Sequence, residues 1–368
     1  MFIKEGIAFE EDWARSVAIH TDLVAIKSTR FGGDPSPVEG ALATYGLYVP
    51  SPRPTRVFAP FRQRLWVDRT ISLLHQIQRR HGTLDFLHGH FYPVGGLLDR
   101  LRMAHGFPYV LTEHSSRLTR RSTDQKPLSQ NGIRIADRGY RGAETVFFPS
   151  EYLRACVERL GLSGRFTVVG NPVATQYFFP RPGLTHSNRI LWVGRLESDK
   201  DPISALRGFE AAKRQIEDLR LDIVGAGPDR RLIEDWIRDK NLGNAITVWG
   251  RQPRHVIADL LSNSALFLSS SVVETFGIAV AEALASGVPV VAPDIPPMRE
   301  LVGRSDGILY SSGDVSDMRR ALVQISSNPE WFSPREIAKH IQDRFTFDAV
   351  GSRVAEAYAR LLTESRVA

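Results

Sequence analysis

Glu274-Thr275-Phe276-Gly277-Ile278-Ala279-Val280-Ala281-Glu282 runs straight on into Ala283-Leu284-Ala285-Ser286-Gly287-Val288-Pro289-Val290-Val291. From Ile278 onward the first part is small and apolar apart from Glu282, which predicts a buried helix. Ser286-Gly287 ends it, and 288–292 then predicts a strand covered on both faces, as parallel strands are. The same beat extends in both directions. Strands are predicted at 189–193, 219–224, 245–249, 265–268 and 307–310, with amphipathic helices between them at 202–214 and 229–240. The first half repeats the theme with strands at 22–26, 84–88, 109–112, 145–149 and 166–169. The segment 32–60, dense in Pro and Gly, predicts an irregular loop region. Alternation of this kind predicts an α/β fold: two doubly wound, Rossmann-like domains facing across a cleft. The stretch from Asn171-Pro172-Val173 to Pro180-Arg181-Pro182-Gly183 reads as the linker, giving domains of 1–173 and 174–346. A helix at 347–368 is expected to pack back on the first.

Bulk properties narrow the class. A chain of 368 residues, 42% hydrophobic and 24% charged with no biased tract, is globular and long enough for two cores. Cys156 is the single cysteine, so no internal disulfide forms and a reducing compartment is expected. The start, Met1-Phe2-Ile3-Lys4-Glu5, does not read as a signal peptide, and two glutamates, a Gly and a Pro break the apolar run after Val272. The formal charge of +6 is lopsided. Residues 1–175 carry 23 Lys+Arg against 16 Asp+Glu, and the remainder 24 against 25. Arg53, Arg56, Arg62, Arg64 and Arg69, interleaved with Phe58, Phe61, Leu65 and Trp66, suit an anionic membrane surface or a phosphorylated lipid acceptor. A merely solvated basic face explains them equally well. No nucleic-acid motif accompanies the charge.

Glu282 lies among Ala, Val, Ile and Leu, where a carboxylate is costly unless paired. Sugar hydroxyls are good partners, since each donates to a charged acceptor. The amides of Phe276, Gly277 and Ile278 sit at the helix start, where phosphate binds. Local caps and ion pairs are the alternative for both glutamates. Gly194-Arg195-Leu196 follows the strand at 189–193, with Lys200 five residues after Arg195, and two cations there suit a diphosphate. Salt bridges to Glu197, Asp199 or Asp201 are the competing explanation. Gly225-Ala226-Gly227 resembles a dinucleotide fingerprint but has Arg230 at the third glycine position. No acid ends the next strand, so hydride transfer is disfavoured and a tight turn against a nucleotide is expected. His88-Gly89-His90 and Thr112-Glu113-His114 each follow a predicted strand, and both are expected in loops facing the cleft. Hydrogen bonding to sugar or a developing oxyanion is their reading, a structural role the alternative, and no further ligands complete a metal site. No P-loop, serine elbow or Asp-x-Asp pair is present.

Taken together, Gly194-Arg195-Leu196 with Lys200, Val224-Gly225-Ala226-Gly227-Pro228, Val248-Trp249-Gly250 and the Glu274-to-Glu282 run resemble glycosyltransferase family 4. So do Leu87-His88-Gly89-His90-Phe91, Thr112-Glu113-His114 and Gly170-Asn171-Pro172-Val173 in the first half. The resemblance implies the two-domain GT-B architecture and metal-independent, retaining hexosyl transfer from a UDP-, GDP- or ADP-sugar to a glycan or lipid-linked acceptor. No cofactor is implied. It implies Arg195 and Lys200 on the diphosphate, Glu274 on donor-sugar hydroxyls and Glu282 on the ribose. Phe276, Gly277, Ile278, Gly194, Gly225, Gly227 and Trp249 complete the donor site; His90 joins the catalytic set, and His114 lies on the acceptor side. A cytoplasmic location, peripheral at the inner membrane face, goes with such an acceptor. The family's first strand and Gly-rich loop are counted as missing, the chain opening at the segment after them. Asp201 stands where glycine is common, and Ala174 where an Asp is. Two other readings remain: a donor-binding regulatory subunit with impaired catalysis, and a sugar epimerase or phosphorylase on the same fold.

Overall fold

The computed structural model describes residues 1–4, 8–29, 35–48, 59–119, 128–181 and 188–367. It divides into two units, Met1–Pro172 with Phe347–Ala368, and Val173–Thr346. In the first, β1 (Phe2–Lys4), α1 (Ala8–Ala18), β2 (Val24–Thr29) and β3 (Ala43–Tyr48) form a parallel sheet in the order β1-β2-β3. After α2 (Ala59–His81) come β4 (Leu87–His90), α3 (Tyr92–His105), β5 (Tyr109–Thr112), α4 (Gln130–Gly142), β6 (Val146–Phe148), α5 (Glu151–Arg159) and β7 (Phe166–Val168). These strands make a second parallel sheet, β4-β5-β6-β7, with β1 lying against β4. Their core is apolar, with Leu98, Leu111, Val146 and Phe148 fully buried.

Three expectations are corrected here. Phe2–Lys4, read as the segment after the missing strand, is itself a strand, a three-residue β1 paired with β2; Glu5 to Ile7 lie outside the described residues. Within the supposed loop 32–60, Ala43–Tyr48 is a six-residue strand: Thr44, Tyr45 and Tyr48 favour the pleated surface more than the flanking Pro and Gly oppose it. The strand predicted at 84–88 runs instead from Leu87 to His90, because His-Gly-His is buried within the sheet rather than looped out of it. Arg53, Arg56, Phe58 and the side chains of Phe61 and Arg62 fall outside the described residues, as do Pro182 and Gly183.

The second unit contains β8 (Arg189–Val193), α6 (Pro202–Lys213), β9 (Arg220–Val224), α7 (Arg230–Asp239), β10 (Ile246–Gly250), α8 (Arg254–Ser262) and β11 (Leu266–Leu268). Then follow α9 (Ile278–Ala285), β12 (Val290–Pro293), α10 (Pro296–Leu301), β13 (Gly307–Tyr310), α11 (Val315–Ser327) and α12 (Pro334–Phe345). All six strands are parallel, ordered β10-β9-β8-β11-β12-β13. The winding reverses between β8 and β11. Loops leaving the carboxyl ends of those two strands depart in opposite directions, which opens a crevice for ligand in such sheets.

The last helix, α13 (Phe347–Val367), belongs to the first unit and packs on α1. Ser16 Oγ donates to the Phe347 carbonyl at 2.6 Å, and a Cβ on Gly351 would lie 2.0 Å from the Ser16 carbonyl oxygen. The helices therefore touch backbone to backbone, and only glycine permits it.

Candidate functional site

In the second unit the loops after β8 and β11 carry the cationic and acidic candidates. Glycines set their spacing. A Cβ on Gly225, at φ 150°, would meet the Gly194 oxygen at 1.8 Å, and one on Gly227 the Leu196 oxygen at 2.2 Å. Packing of these loops on each other requires both glycines; the expectation of a turn shaped against a nucleotide is not needed to explain them. Gly194 N donates to Val224 O at 3.0 Å and Leu196 N to Ala226 O at 3.1 Å, fixing the loop that holds Arg195. Arg195 is mostly exposed and pairs with Glu197 at 2.5 Å, a contact that water screens heavily.

Lys200 is held more firmly. The carbonyls of Asp199 and Lys200 accept from Val272 N at 3.0 Å and Ser270 Oγ at 2.8 Å, so the two loops are stitched together. Ser270 Oγ in turn accepts the Trp192 indole N–H at 2.9 Å. Across that stitch the Lys200 ammonium pairs with Glu274 Oε1, both side chains largely buried. Asp201, which follows, occupies the left-handed region at φ 45° and caps α6 through Ser204 N. Glycine is at ease there, while aspartate holds the position by capping.

Phe276 anchors the start of α9. Its ring is buried edge-on against Phe345, centroids 5.1 Å apart. Gly277 turns at φ 99°, where a Cβ would strike Met298 Cε at 2.4 Å. No side chain caps α9, so the first amides, beginning with that of Ile278, have no intrahelical acceptor and point outward. One turn into the helix, Glu282 is 8% exposed, and Arg254 Nε lies 4.0 Å from its Oε1.

Trp249 does not join this group. Its indole N–H is committed to Asp222 Oδ1 at 2.8 Å, and the same carboxylate receives Arg189, the first residue of β8. That bond draws the indole toward the middle of the neighbouring strand β9. The register shift between Val248 and Gly250 supplies the turn.

In the first unit, His88, His90 and His114 form a stack. Ring centroids are 5.2 Å apart between His88 and His90 and 5.4 Å between His90 and His114. Trp13 lies edge-on to all three and donates its indole N–H to Asn171 Oδ1 at 3.0 Å. His90 was expected in a loop; it is the last residue of β4 and 2% exposed, because residues two apart on a strand share a face and His88 brings it inward. Burial drives His88 and His90 well below the usual imidazole range, and the amino terminus and neighbouring rings add to it. Burial lowers His114 to about 3. All three rings are neutral near pH 7. His88 bonds Thr112 Oγ1 at 2.6 Å and Tyr358 Oη at 2.5 Å; His90 Nδ1 bonds His114 Nε2 at 3.1 Å. His90 Nε2 is buried without a hydrogen-bond partner among the described residues, an exception to the usual pairing of buried polar atoms.

Glu113 is a residue whose importance the sequence did not disclose. Fully buried, it accepts from the amides of Tyr92, His114 and Ser115 at 2.7 to 2.9 Å and from Tyr140 Oη at 2.6 Å. Burial raises its pKa against the pull of those four bonds. It thereby ties the loops after β4 and β5 together and fixes His114. At the other end of this sheet a cavity of about 490 Å³, walled by Val24, Ile26, Leu74, Ile77 and Leu87, reaches His88 and Tyr358.

Two parallel Rossmann-like units, one with an acid–lysine pair and an uncapped helix at its switch point, define a protein of the GT-B type. Residues 176–343 match the family described as glycosyl transferases group 1, and residues 23–177 match glycosyltransferase family 4. The two matches account for most of the chain, which belongs to this glycosyltransferase family. It is 24% identical over 273 residues to N-acetyl-α-D-glucosaminyl L-malate synthase of Bacillus anthracis, covering 70% of this chain and 69% of that one. Over three other curated relatives the alignments span 66%, 46% and 22% of the relative's length. Sucrose-phosphate synthase of Thermosynechococcus elongatus shares the fold with a TM-score of 0.79, 19% identity and coverage of 97% of this chain and 93% of that one. Anabaena HepE, solved with UDP and glucose, shares it at 0.76 with 16% identity, covering 97% and 98%.

Proposed function

We propose that the chain transfers a hexose-type sugar from a nucleotide-sugar to a glycan or lipid-linked acceptor, retaining the anomeric configuration and using no metal. The observation that carries this reading is the Lys200–Glu274 pair, lodged between the two switch-point loops beside the uncapped start of α9. Family membership and the fold shared with HepE, solved with UDP and glucose, support it. In the reaction the bond from the anomeric carbon to the phosphate oxygen breaks and a bond to the acceptor oxygen forms on the same face. The acceptor proton passes to the departing phosphate oxygen, so no protein base is required. Negative charge growing on the diphosphate is met by Lys200, Arg195 and the amides of α9, which stabilise the transition state more than the ground state. Glu274 takes donor-sugar hydroxyls and Glu282 the ribose; in the first unit, His90 Nε2 takes a hydroxyl.

The acceptor side of the proposal rests on the exposed Arg64, Arg69, Arg79 and Arg80 of α2, which suit an anionic surface. Among the described residues no helix is long and apolar enough to cross a membrane. On this reading the chain sits peripherally at the inner membrane face, in cell-surface polysaccharide or glycolipid synthesis, and the exposed arginines support it. The test is a thermal-shift screen with UDP-, GDP- and ADP-sugars, since selective binding to the native state raises its Tm. Turnover of the selected donor in chelator, with the product's anomeric configuration read by NMR, completes it. A screen with no stabilising nucleotide-sugar sinks the proposal.

A further inference from the structure

Arg254 is the first residue of α8, and no side chain caps that helix start. A cation in the first turn opposes the helix dipole, at a cost of about 0.3–1 kcal/mol. Its side chain is nonetheless three-quarters buried, with Nε 4.0 Å from Glu282 Oε1 on a different helix. A solvated surface arginine does neither of these things. Glu282 projects from an otherwise apolar α9, where a buried carboxylate is costly unless paired, and the guanidinium is a cation placed to meet it.

We infer that Arg254 is a positioning residue for the nucleotide, holding the Glu282 carboxylate so that its oxygens meet the paired hydroxyls of the ribose. The inference rests on the reading that the second unit binds a nucleotide-sugar, and it assigns Arg254 an action through Glu282 rather than a contact with phosphate. A carboxylate offers about four acceptor directions, so one side can face the guanidinium while the other takes two hydroxyls.

The experiment titrates UDP, GDP and ADP, each beside its 2′-deoxy counterpart, into the full chain and into Arg254→Gln, Arg254→Lys, Glu282→Gln and the Arg254→Gln/Glu282→Gln double variant. For the nucleotide that binds, Arg254→Gln is expected to weaken affinity about tenfold, roughly 1.4 kcal/mol. Most of the wild-type preference for the ribose form over the 2′-deoxy form should vanish with it. Arg254→Lys, which keeps charge without the planar fork, recovers part of both and covers the case in which the glutamine variant unfolds. The double variant should bind no worse than Glu282→Gln alone, the signature of two residues acting as one unit. Multiplying losses in the double variant, or an unchanged ribose preference in Arg254→Gln, overturn the role of Arg254 while leaving nucleotide binding intact. Wild-type protein that binds none of the three nucleotides overturns the underlying reading, and the inference with it.

Discussion

The Lys200–Glu274 pair makes an unusual prediction, because the proposed ligand groups of these two residues differ. Lys200 is assigned to the diphosphate and Glu274 to the sugar, yet without ligand they neutralise each other. Glu274→Gln removes the acid and leaves the ammonium unopposed. Both side chains are partly exposed, at 22% and 15%, so the pair falls between a surface ion pair of about 0–1 kcal/mol and a buried one whose disruption costs about 3–5 kcal/mol. A working figure of roughly 1 kcal/mol follows, about fivefold in a binding constant. A free nucleoside diphosphate, which asks only for positive charge, should therefore bind Glu274→Gln about fivefold more tightly than wild type. The complete donor shares that gain of about 1 kcal/mol but loses its charge-assisted hydroxyl contact, about 1.5–3 kcal/mol, a net loss of about 0.5–2 kcal/mol, so kcat/KM should fall roughly 2- to 30-fold. Isothermal titration with UDP, GDP and ADP, set beside steady-state kinetics, reads both arms. Opposite signs are the expected result. A parallel loss of diphosphate and donor affinity would refute the idea that the pair is shared between two ligand groups.

Other consequences are simpler. Trp249→Phe gives up the bond to Asp222 and should cost about 1 kcal/mol in urea unfolding while nucleotide affinity stays within about twofold; a tenfold loss would return Trp249 to the donor site. In Gly351→Ala the helix-propensity gain of about 1 kcal/mol competes with a backbone clash worth about 1–3 kcal/mol, and the clash wins because the Ser16 carbonyl cannot move aside. A lower Tm is expected, and a raised one would mean α13 does not dock as described. For the histidine stack, the folded-state pKa values lie below the unfolded value near 6.5, so the unfolded chain binds more protons in acid. The stabilising contribution is complete above that value and is lost as pH falls below it, toward about 3 for His114. With three such rings, stability should drop by up to about 4 kcal/mol per pH unit around pH 5. His90→Phe should remove about a third of that slope, measured by urea unfolding at pH 5 to 6.5, and an unchanged slope would show that His90 is not buried neutral.

What could be read from sequence follows from how each signal is carried. Strands of the second unit were legible because covered parallel strands are runs of Val, Ile and Leu, and β8 and β13 fall at their predicted limits. β4 was misplaced by the same logic: His88 and His90 look like loop residues until Thr112, Tyr358 and His114 are seen to satisfy them. That information lies 24 or more residues away and has no local trace. Glu113 is the sharper case. Two of its four donors are the adjacent amides of His114 and Ser115, but the other two, Tyr92 N at the start of α3 and Tyr140 Oη in α4, are 21 and 27 residues away, and it is these that make it the node.

Trp249 shows the converse failure. Its motif, Val248-Trp249-Gly250, places a residue at a strand end but leaves the direction of the ring open. A one-residue irregularity in the ladder, together with an acid on the neighbouring strand, commits its indole N–H to that acid. Side-chain direction is set by register, and register is a property of two strands. Lys200 and Glu274 escape that difficulty because backbone bonds between their loops fix the pairing before either side chain is considered. That Lys200 and Glu274 lie on adjoining loops was legible from the strand pattern, though not that they pair, whereas groups whose partners come from another helix, Arg254 among them, could be placed only once the fold had brought the helices together.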